Sequence, residues 1–591
     1  MVLQKKRPPL WITLGAVLLF VGGGALAFWA TNRRSAWVKA LPAGANAIPA
    51  DAVMVVALST DEGQWRRLRQ FGTPATQEQF DQVLAQWRDR LFTQAGLSFG
   101  TDLQPWVGPE ITLALLPAMD NSGAGNSTLP VPLDSWSANL VAVVPIGNIS
   151  EAQAGLGNRL VEAQGVGDNP YRGITIQQLE GQPDPPLYTA VLNSQLALVS
   201  AQLPLLKKSI DAFRNSQSVA DRPGFSKAFE QLGETRSLAR LYLDVPTVVQ
   251  ALANTADPPI PSNRLEALRA PRALVGSLLL QNQGLHLQAI SWLDQGSQVF
   301  NTSNKADQMP QRFPANTLIM ASTGDFQQFW EDFKTGKQWL ALTPIRPEEI
   351  TLALQSATGL VLEEDLLPWM GGEFALGVLS PPPTANRPET DPVLPNPALA
   401  LMVKTNDREA ATATLNRLDE VMTNRYRFTV EQADLGGVPV TRWTAPFASL
   451  SLAYGWLPGD VVFLTVGNGV EGLIAPRPNR SLAEASAFQT TTGQAPRPNN
   501  GHFFIHLTDL AAAEDNLLLP PLPTKGLLSA EAIDAIGVTA TVLSDRQVRY
   551  DITTALKRGN RPGPLPSGQP QGSEGKTVPP ETTTAPPEAA E

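Results

Sequence analysis

GLSFGTDLQPWVGPE (residues 96–110) and GLVLEEDLLPWMGGE (residues 359–373) are the two stretches that decide how this chain is read. Gly96, Leu97, Asp102, Leu103, Pro105, Trp106, Gly108 and Glu110 return without a gap as Gly359, Leu360, Asp365, Leu366, Pro368, Trp369, Gly371 and Glu373. The neighbourhood keeps step. Pro49-Ala50 returns as Pro314-Ala315, Trp65 as Trp330, and Asn158-Arg159-Leu160 as Asn416-Arg417-Leu418. Residues 192–200 and 457–465 share an apolar pattern. An offset near 260 residues is far too long for a solenoid unit. It implies two tandem homologous domains, 46–300 and 311–557, joined by a polar linker, 301–310. Residues 558–591 lack aromatics and read as a disordered Pro-rich tail.

Within the first repeat, 52–59, 110–116, 140–145 and 196–200 read as strands by β-branched and alternating content. Residues 274–281 and 285–293 form a hairpin across Asn282-Gln283-Gly284. Thr73-Pro74 reads as a helix N-cap followed by an N1 proline. Behind it Phe80, Val83, Leu84, Trp87 and Leu91 form one apolar stripe at helical spacing. Residues 150–163 and 204–213 are also expected to be helical. Hairpins without βαβ alternation predict an α+β fold: two tandem domains with mainly antiparallel sheets and packed helices, after one N-terminal transmembrane helix.

That helix runs from Leu10 to Ala30, with no charged residue, and is long enough to cross a hydrocarbon core of about 30 Å. Basic residues flank both ends, so size sets the orientation: residues 1–9 stay cytoplasmic and the long body crosses, into a periplasm or thylakoid lumen. The alternative is a secreted body, cleaved near Ala27 after Ala25-Leu26-Ala27. Composition narrows the chemistry. The chain has 591 residues, no cysteine and three histidines, His286, His502 and His506. Thiolate metal sites and Cys nucleophiles are excluded, and general bases are scarce. The net charge is −10, with the excess of acid in the body, which repels nucleic-acid phosphates.

Gly96-Leu97-Ser98-Phe99-Gly100 matches the G-x-S-x-G pattern of a hydrolase elbow, but a helix precedes it and a turn into a strand follows, which is the wrong context. The second stretch has Val361 in place of Ser98. His502 and His506 share one strand face with Asp509 nearby; by offset the first repeat has Leu238 and Tyr242 there, so no shared metal site is expected. The run Glu363-Glu364-Asp365 has no acidic counterpart at Gly100-Thr101, so no shared carboxylate mechanism is expected either. Asp102 and Asp365 are read as turn caps, Glu110 and Glu373 as exposed strand starts. Pro105, Trp106, Gly108, Pro368, Trp369 and Gly371 are read as a structural corner whose glycines take a conformation other residues resist. Arg66, Arg67, Arg69, Arg88 and Arg90, interleaved with acids, read as a solvated face. No catalytic, cofactor-binding or metal-binding residue is assigned.

The D-L-x-P-W-x-G-x-E turn, IPADAVMVVALSTDEGQW (48–65) and FGTPATQEQFD (71–81) resemble a cyanobacterial family called domain of unknown function 3352. That resemblance implies a single-pass membrane protein with an extracytoplasmic body and supplies no catalytic residue, cofactor or substrate. The expectation is a non-enzymatic, membrane-anchored module that binds a protein partner or an apolar or lipid ligand. The alternatives are a membrane-anchored hydrolase using carboxylates and a scaffold of a membrane complex.

Overall fold

The structure, a computed structural model, describes residues 41–91, 102–117, 139–156, 160–162, 170–179, 186–233, 236–254, 260, 262–294, 304–306, 308–335, 346–380, 398–446, 450–512 and 530–566. The expected membrane span, the cleavage site and Ser98 lie outside them, as do residues 301–303 and 307 of the linker. Among the described residues no helix is long and apolar enough to cross a membrane.

Ten strands come from the first half of the chain: β1 (Met54–Ser59), β2 (Glu110–Leu115), β3 (Leu140–Pro145), β4 (Leu160–Glu162), β5 (Ile176–Leu179), β6 (Tyr188–Leu192), β7 (Leu196–Ser200), β8 (Ala239–Asp244), β9 (Pro271–Gln281) and β10 (Gly284–Leu293). Ten come from the second: β11 (Thr317–Thr323), β12 (Phe374–Leu379), β13 (Leu399–Lys404), β14 (Thr429–Leu435), β15 (Val438–Thr444), β16 (Ser451–Leu457), β17 (Val461–Val466), β18 (His502–His506), β19 (Ile533–Ser544) and β20 (Gln547–Leu556). All pair antiparallel in one 20-stranded sheet. The first half runs β4-β5-β6-β7-β3-β2-β1-β8-β9-β10. The second runs β14-β15-β16-β17-β13-β12-β11-β18-β19-β20, the same order strand for strand. The two runs meet at β10 and β20, from Gly284 opposite Ala555 to Trp292 opposite Gln547.

Local sequence explains the elements. β9 and β10 turn at Asn282-Gln283, and Gly284 takes the positive φ of 148° that follows. Asp61, Asp244, Asp325 and Asp407 each cap the helix that leaves a strand by accepting a backbone N–H. Helix α1 (Glu62–Leu68) and helix α2 (Pro74–Leu91) follow β1, with Thr73 at the start of α2 as expected. Phe80 and Leu84 of the α2 stripe are buried, but Val83 faces outward, and the side chains of Trp87 and Leu91 lie outside the described set. The helix expected over 150–163 ends at Leu156, and residues 160–162 pair with β5 instead.

One sheet face, here face A, is covered in the first half by Leu203–Asn215 and Phe225–Leu232, whose Leu205, Leu206, Ile210, Phe225 and Phe229 pack on Val55, Val141 and Val275. In the second half Ile474 and Phe488 pack on Met320, Phe463 and Phe504 of the same face. The opposite face, face B, carries a core common to both halves, with Leu58, Trp65, Phe80 and Leu241 in one cluster with Leu318, Leu507 and Ile533. Residues 558–566, expected to be disordered, lie against α1 and α2 (described below).

The junction holds a buried polar group. Asp551 accepts from His286 Nε2 at 3.1 Å and from Arg549 at 2.8 Å, while Gln281 Nε2 donates to His286 Nδ1 at 2.9 Å. Burial raises the Asp551 carboxyl, but the bonds from His286 and Arg549 outweigh it and hold the group below its ordinary value. Asp551→Ala, which strips the buried His286 and the half-buried Arg549 of their acceptor, is expected to cost about 3 kcal/mol in urea titration. Because the sheet is continuous, hydrogen exchange should quicken in β8–β10 as well as β18–β20; loosening confined to one half would contradict a single structural unit.

Candidate functional site

The two tryptophan turns are built alike. Trp106 Nε1 donates to the Asp102 carbonyl at 2.6 Å, and Trp369 Nε1 to the Asp365 carbonyl at 2.9 Å. Both indoles are buried. The Asp365 side chain accepts from Val361 N, four residues earlier, at 2.7 Å, which with Arg417 holds its carboxyl below the ordinary value. Pro105 is exposed at its turn, and the Pro368 carbonyl accepts from Asn406 Nδ2 at 3.3 Å. Gly108 and Gly371 do not have positive φ, contrary to expectation. Space is what they supply: a Cβ on Gly108 would lie 2.9 Å from Pro145 Cβ, and one on Gly371 3.0 Å from the Asn406 amide.

The glutamates are not exposed strand starts. Glu110 accepts from Ala43 N at 2.6 Å and faces Arg240 at 3.6 Å. Glu373, 6% exposed, accepts from Gln308 N at 2.9 Å and Met309 N at 3.1 Å. Each carboxylate therefore clamps the segment that leads into its own half. Thr112 Oγ1 and Arg240 Nη1 complete the first clamp by donating to the carbonyls of Ala43 and Leu41 at 2.8 Å. Burial pushes the Glu110 carboxyl above its ordinary value, against Arg240 and the Ala43 N–H. In the sheet order eight strands separate β2 from β12, so the two glutamates form no carboxylate pair along it.

The histidines are held too. His502 Nδ1 contacts Thr539 Oγ1 at 2.9 Å. His506 sits between Asp509 at 2.7 Å and Asp534 at 3.7 Å, one carboxylate on each ring nitrogen, and its pKa is raised, chiefly by the Asp534 bond. A cation cannot take all three groups while the ring separates them, and among the described residues no cluster of three or more ligands is arranged for a metal. Register pairs His502 in place with Arg240 and His506 with Asp244, not with Leu238 and Tyr242.

The site that sequence reasoning missed lies across the sheet. On face A one register row reads Thr112, Ala57, Arg240, Ser277, Gln288, Asp551, Thr539 and His502. It is polar at all but one position, and only Gln288 is not fully buried. On face B the offset row reads Leu278, Leu287, Ile552, Val538, Phe503, Ala321, Leu376, Leu401 and Leu464. Every member is apolar and none is fully buried, with Phe503 at 40% and Leu376 at 51% exposure. At about 4.8 Å per strand the row runs roughly 40 Å along the sheet. Leu278 at one end and Leu401 and Leu464 at the other pack partly buried against neighbouring clusters, and the stretch between them, from Leu287 to Leu376, is the part that reaches solvent. A protein surface seldom keeps so long a contiguous apolar strip unless something binds it. Beside it lie the small residues Gly276, Ala289 and Ala540, with Tyr550 among them, whose hydroxyl pKa burial raises.

A family model for a protein of unknown function, DUF3352, matches residues 12–556. The chain belongs to the DUF3352 family. No curated protein matches this DUF3352 chain. Two solved structures of TP0453 are similar to part of it. Crystal form I shares 10% identity at a TM-score of 0.22 and covers 44% of this chain and 82% of that one. Crystal form III shares 12% at 0.23, covering 44% and 83%. Likeness at that level supports no argument about fold or role.

Three substitutions test this geometry. Trp106→Ala and Trp369→Ala should each cost about 3–5 kcal/mol in denaturant titration. Glu110→Gln keeps an acceptor for Ala43 but removes the titration. Native Glu110 binds its proton more tightly than the unfolded chain, so its contribution to stability falls as pH rises through the raised value. The variant should therefore gain on wild type as pH rises above the ordinary carboxylate value of about 4; a constant difference would refute the assignment.

Proposed function

We propose that this DUF3352 protein is a non-enzymatic binding module whose contact surface is the apolar row on face B, taking an apolar chain or the apolar face of a partner. The observation that carries the reading is the inversion at the middle of the sheet: polar side chains are buried on face A and apolar ones reach solvent on face B. The recurring carboxylates weigh against a carboxylate hydrolase, because Glu110 and Glu373 are bound to backbone N–H groups in separate clamps. The shared strand order and the two alike turns support a tandem duplication of one α+β unit.

The proposal places the module outside the cytoplasm, held at a membrane by residues 10–30. The clamp on Leu41 and Ala43 leaves only residues 31–40 as tether, at most about 35 Å, so the body stays close to the bilayer. Native mass spectrometry of the chain released from its own membrane, with titration of a fluorescent fatty-acid probe, tests binding. A retained mass or saturable probe uptake is expected, lost in Phe503→Glu with Leu376→Glu while the melting temperature stays within a few degrees, since both positions are exposed. A bare mass, with uptake that the double variant does not change, would rule the surface out.

A further inference from the structure

The chain beyond β20 crosses from the second half onto the helices that follow β1. Gly72 N donates to the Lys557 carbonyl at 2.7 Å, Gly559 N to the Gln70 carbonyl at 2.8 Å, and Arg558 and Phe71 form an isolated bridge. The Arg558 guanidinium lies 5.0 Å from the Phe71 ring centre. The segment then runs along α2. Gln77 Nε2 donates to the Asn560 carbonyl at 2.9 Å and Gln77 Oε1 accepts from Asn560 N at 2.9 Å. Arg69, held by Asp81 through two bonds of 2.7 Å, donates to the Gly563 carbonyl at 2.8 Å. Arg88 donates to the Pro566 carbonyl at 2.9 Å. Leu565 packs partly buried against the core common to both halves.

We infer that the surface of α1 and α2 is a receptor for an extended proline-rich chain, occupied in this molecule by its own residues 557–566. Two spacings match. The accepting carbonyls belong to Asn560, Gly563 and Pro566, every third residue, which is the repeat of a polyproline II helix. The holding positions Gln77, Asp81 and Arg88 lie on one side of α2. Six residues of such a chain span about 19 Å, and eleven residues of α-helix about 16 Å, a gap the arginine arm covers. The chemistry matches too. Pro562, Pro564 and Pro566 have no N–H, so this stretch offers mainly carbonyl oxygens, and the surface supplies donors from Arg69, Gln77 and Arg88. This accounts for Arg69 and Arg88 among the arginines that sequence alone assigns to a solvated face.

The full-length chain carries the test. A Cβ on Gly559 would run into the Gly72 carbonyl and the Gln77 side chain, so Gly559→Ala should lift the segment, taking only the partly buried Leu565 from the edge of the core. Hydrogen exchange at the Gly72 amide should quicken at least tenfold in the variant, while the β19–β20 amides keep their protection. A labelled peptide of residues 557–566 should bind the variant and not the wild type, whose surface is filled. Should Gly559→Ala not fold, Gln77→Ala with Arg88→Ala in the full chain should also free the segment, and should bind the peptide weakly or not at all. Unchanged Gly72 exchange in a folded variant, or a peptide that ignores the vacated surface, would overturn the inference.

Discussion

The antiparallel ladder between β10 and β20 is the interaction on which the rest of the structure depends. Each half of the chain builds ten strands in the same order, and each would otherwise end in an open strand edge with unpaired backbone groups. Pairing those edges removes both at once and makes one sheet from two. The middle of the ladder sets Gln288 against Asp551, and Asp551 is held there by His286 from one half and Arg549 from the other. A buried carboxylate is tolerable only with such partners, so the ladder fixes its own register: a slip of one residue would turn Asp551 to face B and away from His286.

The joined sheet then sorts its side chains unusually. Helices cover face A in both halves, and the row beneath them at the junction is polar and hydrogen-bonded. Face B carries the core common to both halves and, further along, a cluster under the helix Arg408–Asn424, yet its central row from Leu287 to Leu376 stays within reach of solvent. Burying polar groups while exposing apolar ones lowers stability unless the exposed row is covered by something else in use. That conflict between foldability and exposure is the physical content of the binding proposal, and it does not depend on any single residue's chemistry.

Much of the local structure was legible in the sequence. Period-two alternation and turn residues located β1, β2, β3, β7 and the β9–β10 hairpin to within a few residues, and the Asp-x-x-x-Trp spacing marked a turn that both halves close with the same indole-to-carbonyl bond. What was not legible depends on partners far along the chain. Glu110 looks like an exposed strand start until Ala43 is placed beside it, and Glu373 until Gln308 is. The two rows across the sheet cannot be read at all without strand order, because neighbours such as Phe503 and Ala321 are adjacent only through pairing. Residues 558–566 have the composition of a free tail, and only the donors of α1 and α2 order them. The arrangement at residues 10–30 and at Ser98 lies outside the described residues, so those readings rest on sequence.

The central claim is that alternate residues of the junction strands face opposite worlds, and the chain's lack of cysteine makes this directly measurable. Single cysteines at Phe503, Ala321, Leu376 and Ile552, and at their neighbours His502, Met320, Ala375 and Thr553, should be titrated one at a time with a maleimide under native conditions. The account predicts fast modification at the first four and slow modification at the second four, in strict alternation along each strand. Equal, slow reaction at both sets would mean that face B is covered like face A, and the inverted sheet would have to be abandoned.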